Sequence, residues 1–323
     1  MRHIFIVNPV SGKADASGTL VPQIIDAAKK LNIAYEILLT EYPRHAVELA
    51  AKAAESGEPI RLYACGGDGT LNEALQGTLH CRNVEVACVP CGSGNDFVRN
   101  FGGKDAFLNL EDLIQGFSVP MDLIRTDHGI AVAICSAGLD AQVAYGIPKF
   151  RRIPMCGGEM AYKLSILQAV CSKLGHRLRI RADDECITDD FLMLAICNGS
   201  SYGGGFVAAP QAQMNDGLLD LVMVRKISRL QISRFIGVYK NGKHMQDGKV
   251  APPYRSIIEY RRVKKVELET LDGIPIIVTE DGECAPRHTL KTSILPKAAQ
   301  IILPKSFKNQ KLSVLKSMEE YSK

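Results

Sequence analysis

The stretch Gly66-Gly67-Asp68-Gly69-Thr70-Leu71-Asn72-Glu73 stands between Ile60–Cys65, whose composition reads as a strand, and Thr70–Thr78, whose spacing reads as a helix. Glycines without a Cβ let backbone amides approach an anion closely and adopt positive φ. A helix that begins near Thr70 points its free amides and the positive end of its dipole at the same place. A phosphate fits there. Asp68 among the glycines would repel a bare phosphate, so it implies a bound cation or a hydrogen-bonding part in phosphoryl transfer; the plain alternative is a tight turn capped by an aspartate.

The same strand, loop and helix order recurs on either side. His3–Val7 reads as a strand, Asn8-Pro9-Val10-Ser11-Gly12 as its loop, and Leu20–Leu31 as a helix with Leu20, Ile24, Ala27, Ala28 and Leu31 on one face. Ile33–Leu39 and His45–Ala54 follow as strand and helix. Val84–Val89 is the next strand, and Pro90-Cys91-Gly92-Ser93-Gly94-Asn95-Asp96-Phe97 leads into a short helix over Asn95–Phe101. Such alternation predicts a parallel, Rossmann-like α/β sheet whose three loops share one edge, the crevice where ligands bind in open α/β sheets. None of the loops has the spacing of a P-loop or of the dinucleotide fingerprint.

Beyond Asp122 helical periods become rare and short strand patterns crowd together, at Ile130–Cys135, Arg177–Ile180, Phe191–Cys197, Leu218–Val224, Val263–Glu269 and Pro275–Thr279. Two helices interrupt them, Glu159–Leu174 and one capped by Ser228. The expected organisation is an α/β domain over 1–122, a mainly antiparallel, β-sandwich-like domain over 123–303, and a Lys-rich tail over 304–323 that packs back on the first domain or stands apart.

Composition narrows the class further. With 323 residues, 46% hydrophobic and 23% charged, the chain is neither disordered nor fibrous and is long enough for two cores. A formal charge of +4 is too small to mark a dedicated nucleic-acid binder. Met1–Val7 shows no signal-peptide pattern, so the ten cysteines are expected reduced, in a cytoplasmic setting, as small buried hydrophobes. Cys88 and Cys91 form a C-x-x-C with no second pair at zinc spacing. The uncharged run Phe191–Asn215 has span length, but Asn198, Gly199, Gly203–Gly205 and Pro210 break it, and no transmembrane helix is expected.

In order and spacing, Asn-Pro-Val-Ser-Gly at 8–12, the octet at 66–73 and Gly-Ser-Gly-Asn-Asp-Phe-Val-Arg at 92–99 resemble the diacylglycerol kinase catalytic family, in particular the bacterial soluble, YegS-like lipid kinases. Met121-Asp122-Leu123, Asn215-Asp216-Gly217 and Asp281-Gly282-Glu283 match later landmarks of that family, so the resemblance runs through nearly the whole chain. It implies a two-domain kinase that uses Mg2+ and ATP to phosphorylate a lipid hydroxyl in a cleft between domains, with diacylglycerol as the default acceptor and phosphatidic acid as product. Asn8, Pro9, Ser11, Gly12, Thr40, Gly66, Gly67, Asp68, Gly69, Thr70, Asn72 and Ser93 would line the nucleotide site. Asp68 would serve the phosphates and metal, Asp96 and Asp122 would join a carboxylate network with Glu283, and Glu283 would act as general base. A structural Mg2+ would use the Asp216 side chain with the carbonyls of Gln213 and Leu218. Ser93 stands where the family usually has Thr and keeps the hydroxyl.

Four carboxylates in one cleft would repel, so shared Mg2+ or protonation of one of them is expected. The membrane is the implied partner, touched reversibly at the inner face through anionic lipid; the basic clusters Lys149, Arg151, Arg152 and Arg261, Arg262, Lys264, Lys265 are the candidates for contact. A homodimer is compatible with the resemblance, and nucleic acid is not an expected partner. Two rival readings stand beside it: an NAD kinase-like phosphotransferase acting on a soluble substrate, and a non-catalytic lipid-binding regulator.

Overall fold

A computed structural model describes residues 1–12, 15–92, 94–153 and 158–308. The chain divides into two compact units, one of Met1–Leu123 with Met214–Asp216 and the residues from Leu295 onward, the other of Ile124–Gln213 with Gly217–Ile294.

In the first unit, β1 (Arg2–Val7), β2 (Tyr35–Leu39), β3 (Ile60–Gly66) and β4 (Val84–Pro90) form a parallel sheet in the order β4-β3-β1-β2. Ile4, Phe5, Ile6 and Val7 are all buried, the continuous apolar run expected where helices cover both faces of a parallel sheet. Its helices are α1 (Ala16–Lys30), α2 (His45–Ala54) and α3 (Asp68–Gly77). Register aligns the strand ends: Val7 lies opposite Leu39 and Cys65, and Gly66 opposite Pro90. The loops after β1, β3 and β4 therefore leave from one edge. The helix expected over Asn95–Phe101 is a single turn, α4 (Asp96–Arg99). Asn95 precedes it at φ +49, and Gly102 and Gly103 follow at φ +86 and +102, conformations that end a right-handed helix.

The last strand among the described residues is Thr289–Leu303. Its end belongs to the first unit, where Ile301 pairs in parallel with Val86 of β4. The contact is close: a Cβ added at Gly116 would lie 2.2 Å from the Leu303 carbonyl oxygen. Phe307 is buried there, with its ring centroid 5.9 Å from that of Phe107. Residues 295–303, at the end of the stretch expected as the second domain, group with the first unit, along the other edge of β4. The tail beyond 308 lies outside the described residues.

The second unit is antiparallel and sandwich-like. Its long strand Glu185–Cys197 pairs with His176–Ala182, Ile134–Gly138 and Leu219–Arg225. Along His176–Ala182, Leu178 and Ile180 face the core while Arg177, Arg179 and Arg181 face outward, the period of two that strands impose. Helix Gly158–Cys171 and the Ser228-capped helix Arg229–Lys240 are present, the latter with a capping box closed by Gln231. Helix Leu139–Arg151 went unread in the sequence because Gly146 and Pro148 interrupt its apolar period. Gly146 is there for close packing, since a Cβ would lie 2.4 Å from Ser165 Oγ. The run Phe191–Asn215 holds strands and a short hairpin, and among the described residues no helix is long and apolar enough to cross a membrane.

Asp140, in the first turn of helix Leu139–Arg151, receives the Tyr202 hydroxyl at 2.9 Å. Burial pushes its carboxyl up to about 6, against the opposing effect of hydrogen bonds from its neighbours. A carboxyl raised above its unfolded value of 3.8 stabilises the fold below that value, and the contribution is lost as pH rises through about 6. Urea unfolding of Asp140→Asn beside the wild type is therefore expected to shift in the variant's favour between pH 4 and pH 8; a pH-independent difference would contradict it.

Candidate functional site

Three loops at the sheet edge are locked to one another through backbone. The Gly66 carbonyl oxygen accepts from Cys91 N at 2.9 Å, Gly92 N at 3.2 Å and Asn95 Nδ2 at 3.1 Å. Asn8 N donates to the Cys65 carbonyl at 3.0 Å, and Asn8 Nδ2 to Thr70 Oγ1 at 3.2 Å. Thr40 N donates to the Val7 carbonyl at 3.0 Å, which brings Thr40 to the same edge. Gly92 is required by proximity: a Cβ there would stand 2.8 Å from Gly67 Cα. Gly12, at φ +102, would place one 2.9 Å from the Cys91 carbonyl oxygen.

The donors suit an anion. Helix α3 starts from Gly67, which has no side chain to cap its first-turn amides, and among the described residues a Cβ at Gly69 would meet nothing within 4 Å. First-turn amides at the start of a ten-residue helix are what a phosphate uses. Pro9, Ser11 and Asn72 are half-buried around the loops, Gly12 and Gly69 are exposed, and Ser93 lies outside the described residues.

Asp68 has a role that spacing did not reveal. Its Oδ2 accepts from Asp96 N at 3.0 Å and its Oδ1 from Phe97 N at 3.1 Å, so it caps α4 and fastens the third loop to the second. Each oxygen keeps a further lone pair for a cation. Asp96 Oδ1 lies 3.2 Å from Arg99 Nε. Asn95, absent from the predicted set, is buried, and its Oδ1 has no hydrogen-bond partner among the described residues. An unsatisfied buried acceptor costs about 1–3 kcal/mol, which marks a place for a donor from water or ligand.

Asp122 is held by backbone of the first unit. It is fully buried, Lys297 N donates to its Oδ1 at 2.7 Å, and its own N–H donates to the Met214 carbonyl at 2.7 Å. It ties three separated segments of the first unit together. Among the described residues no group of three or more His, Cys, Asp or Glu side chains is placed to hold a metal. Gln213, Asp216 and Leu218 lie just ahead of strand Leu219–Arg225, with Gly217 at φ +73.

In the second unit Glu283 is exposed and opens strand Glu283–Arg287, in register opposite Glu280 of strand Ile276–Glu280. Glu280 Oε1 lies 3.2 Å from His128 Nδ1. The two basic clusters differ sharply. Arg261 pairs with Glu259 at 2.6 Å and with Glu185, Lys265 pairs with Glu267 at 2.7 Å, and Arg262 approaches Asp220 at 4.0 Å. Lys149, Arg151 and Arg152 are exposed at the end of helix Leu139–Arg151, alongside exposed Tyr145 and Ile153. The described cysteines are all free, and burial pushes the Cys65 and Cys88 thiols well up, which suits inert core residues.

Comparison with known proteins gives concordant matches. Residues 2–126 match the model of the diacylglycerol kinase catalytic domain, and residues 133–303 that of the YegS C-terminal NAD kinase beta sandwich-like domain. A probable lipid kinase YegS-like from Shewanella frigidimarina is 29% identical over 249 residues, 76% of each chain. A diacylglycerol kinase of Mycobacterium tuberculosis is 29% identical over 267 residues, 80% of each chain. One of Staphylococcus carnosus is 24% identical over 96% of this chain and 98% of its own. The crystal structure of a diacylglycerol kinase from Bacillus anthracis shares the fold, with a TM-score of 0.66 at 20% identity over 94% of this chain and 97% of that one.

Asp68→Ala removes both caps of α4. A stability loss of about 1–2 kcal/mol is expected in denaturant unfolding, together with faster hydrogen exchange at the amides of Asp96 and Phe97; unchanged protection there would refute the capping role.

Proposed function

Since the chain belongs to the diacylglycerol kinase and YegS-like family of lipid kinases, we propose that it transfers the γ-phosphate of ATP to the hydroxyl of a membrane lipid, diacylglycerol first, to give phosphatidic acid. The observation that supports this most is the interlocked edge of the first unit, where the first turn of α3 and glycine backbone meet. Bidding for the phosphates are the amides of 67–70, with Asn8, Ser11, Gly12, Thr40 and Asn72 around the rest of the nucleotide.

A lipid alcohol ionises far above neutrality, so attack needs a base aligned with the phosphorus. In this reading Glu283 accepts the hydroxyl proton, the lipid oxygen bonds to the γ-phosphorus, and the bond to the bridging oxygen breaks to release ADP. Bound Mg2+ would neutralise the phosphate oxygens, with Asp68 and Asp96 as the carboxylates on hand for it and Asp216 with its neighbouring carbonyls for a second, structural ion. Asp122 then acts as a buried brace for the segments around it.

Membrane contact falls to Lys149, Arg151 and Arg152, whose charges are exposed, more readily than to the cluster at 261–265, most of whose cations meet carboxylates. Each exposed cation near an anionic surface contributes about 1 kcal/mol.

Labelled ATP with diacylglycerol, sphingoid base, ceramide, phosphatidylglycerol, polyprenol and NAD as acceptors tests the function. Labelled phosphatidic acid is expected from the wild type and none from Glu283→Gln; label on NAD alone, or none with any acceptor, would overturn the reading. Sedimentation with anionic vesicles is expected to weaken with salt and on charge removal at Lys149, Arg151 and Arg152, while equal binding to neutral vesicles would remove the electrostatic docking.

A further inference from the structure

The turn that presents Glu283 is fastened at one carboxylate. Asp281, at φ +48 between strands Ile276–Glu280 and Glu283–Arg287, accepts through Oδ2 from Val132 N and through Oδ1 from Ala133 N at 3.0 Å and Ile134 N at 3.1 Å. Its own N–H donates to the Ile134 carbonyl at 3.0 Å. The turn does not need these bonds to close, since Gly282 N already donates to Thr279 Oγ1 at 3.1 Å. What they do is bind the turn to segment 132–134, which is fixed from its other side as well. Asn198 Nδ2 donates to the Val132 carbonyl at 2.7 Å, and the N–H groups of Asn198 and Gly199 both donate to the Ala133 carbonyl at 2.9 Å.

Val132, Ala133 and Ile134 are buried, so their amides have no water to turn to. A carboxylate that gathers several such amides makes charge-assisted bonds, stronger than neutral ones, and losing an acceptor strands a buried donor. Glu283 itself is exposed two residues on, at the start of its strand opposite Glu280. Its place is set by the turn, and the turn's by Asp281.

We propose that Asp281 is a positioning residue for phosphoryl transfer, holding Glu283 where it meets the acceptor hydroxyl. This rests on Glu283 being the base. Asp281 exchanges no proton and makes no bond to phosphorus; it acts through geometry, where a misplacement of about 1 Å costs on the order of 100-fold in rate.

Asp281→Asn keeps the shape and turns an NH2 toward backbone N–H donors. The expected result is a fall in kcat of about 10- to 100-fold with KM for ATP unchanged within about twofold. In a Glu283→Asp background, whose base is already displaced, the same substitution should add little, because both changes act on one position. Unaltered kcat in a folded Asp281→Asn protein, a rise in KM for ATP instead, or losses that multiply in the double variant would each overturn the proposal. Full turnover by Glu283→Gln would sink the assignment of the base, a result distinct from these. If Asp281→Asn does not fold, Asp281→Ser, which keeps one oxygen acceptor at the turn, must give the same split of kcat from KM, and its absence overturns the proposal.

Discussion

The carbonyl oxygen of Gly66 is the point on which the first unit's strand edge depends. Three donors from the loop after β4 converge on it, and the next carboxylate along the chain, Asp68, takes two more amides from the same loop. These bonds make the second and third loops one body, and Asn8 joins the first loop to it through Cys65 and Thr70. Only glycine backbones come near enough for this, since a Cβ at Gly92 would fall within 2.8 Å of Gly67 Cα. Rigidity at a phosphate site is chemically useful: dipoles fixed in advance need no reorganisation when charge moves.

The second unit solves a similar problem by different means. Its sheet supplies a flat, apolar support, and the exposed acid at its turn is oriented by hydrogen bonds from buried amides. Several charged groups elsewhere on that unit pair with one another, as in the ladder of Arg179 with Glu269 and Arg225 with Asp189 and Glu259. Exposed pairs of this sort add at most about 1 kcal/mol each. They do keep cations from being available to other anions, so the small net charge hides an uneven distribution.

What was legible in the sequence is what is local. The β-α alternation of the first 100 residues and the glycine loops depend on neighbours along the chain, and Ser228 announced its helix by the capping rule. Distant pairings were not legible. Nothing near Asp122 says that Lys297 will donate to it, and nothing near Asp281 says that it will hold residues 132–134. Asp68 shows the limit within a motif: the glycines point to an anion site, while the carboxylate's partners lie 28 and 29 residues away, in the short helix after the third loop. Helix Leu139–Arg151 was missed because Gly146 serves packing against Ser165 instead of helical propensity.

The return of the last strand to β4 sets an order in time as well as in space. During synthesis the first 123 residues emerge with their loops and helices, but Leu295–Leu303, which closes the exposed edge of β4, follows about 170 residues later. At about 5–20 residues per second the nascent sheet waits roughly 10 to 30 seconds with an unpaired strand. An open edge is a template for pairing with other chains. The ribosome-bound intermediate is therefore the stage at which this protein is most exposed to aggregation, and a fragment ending before the final strand would remain in that condition permanently.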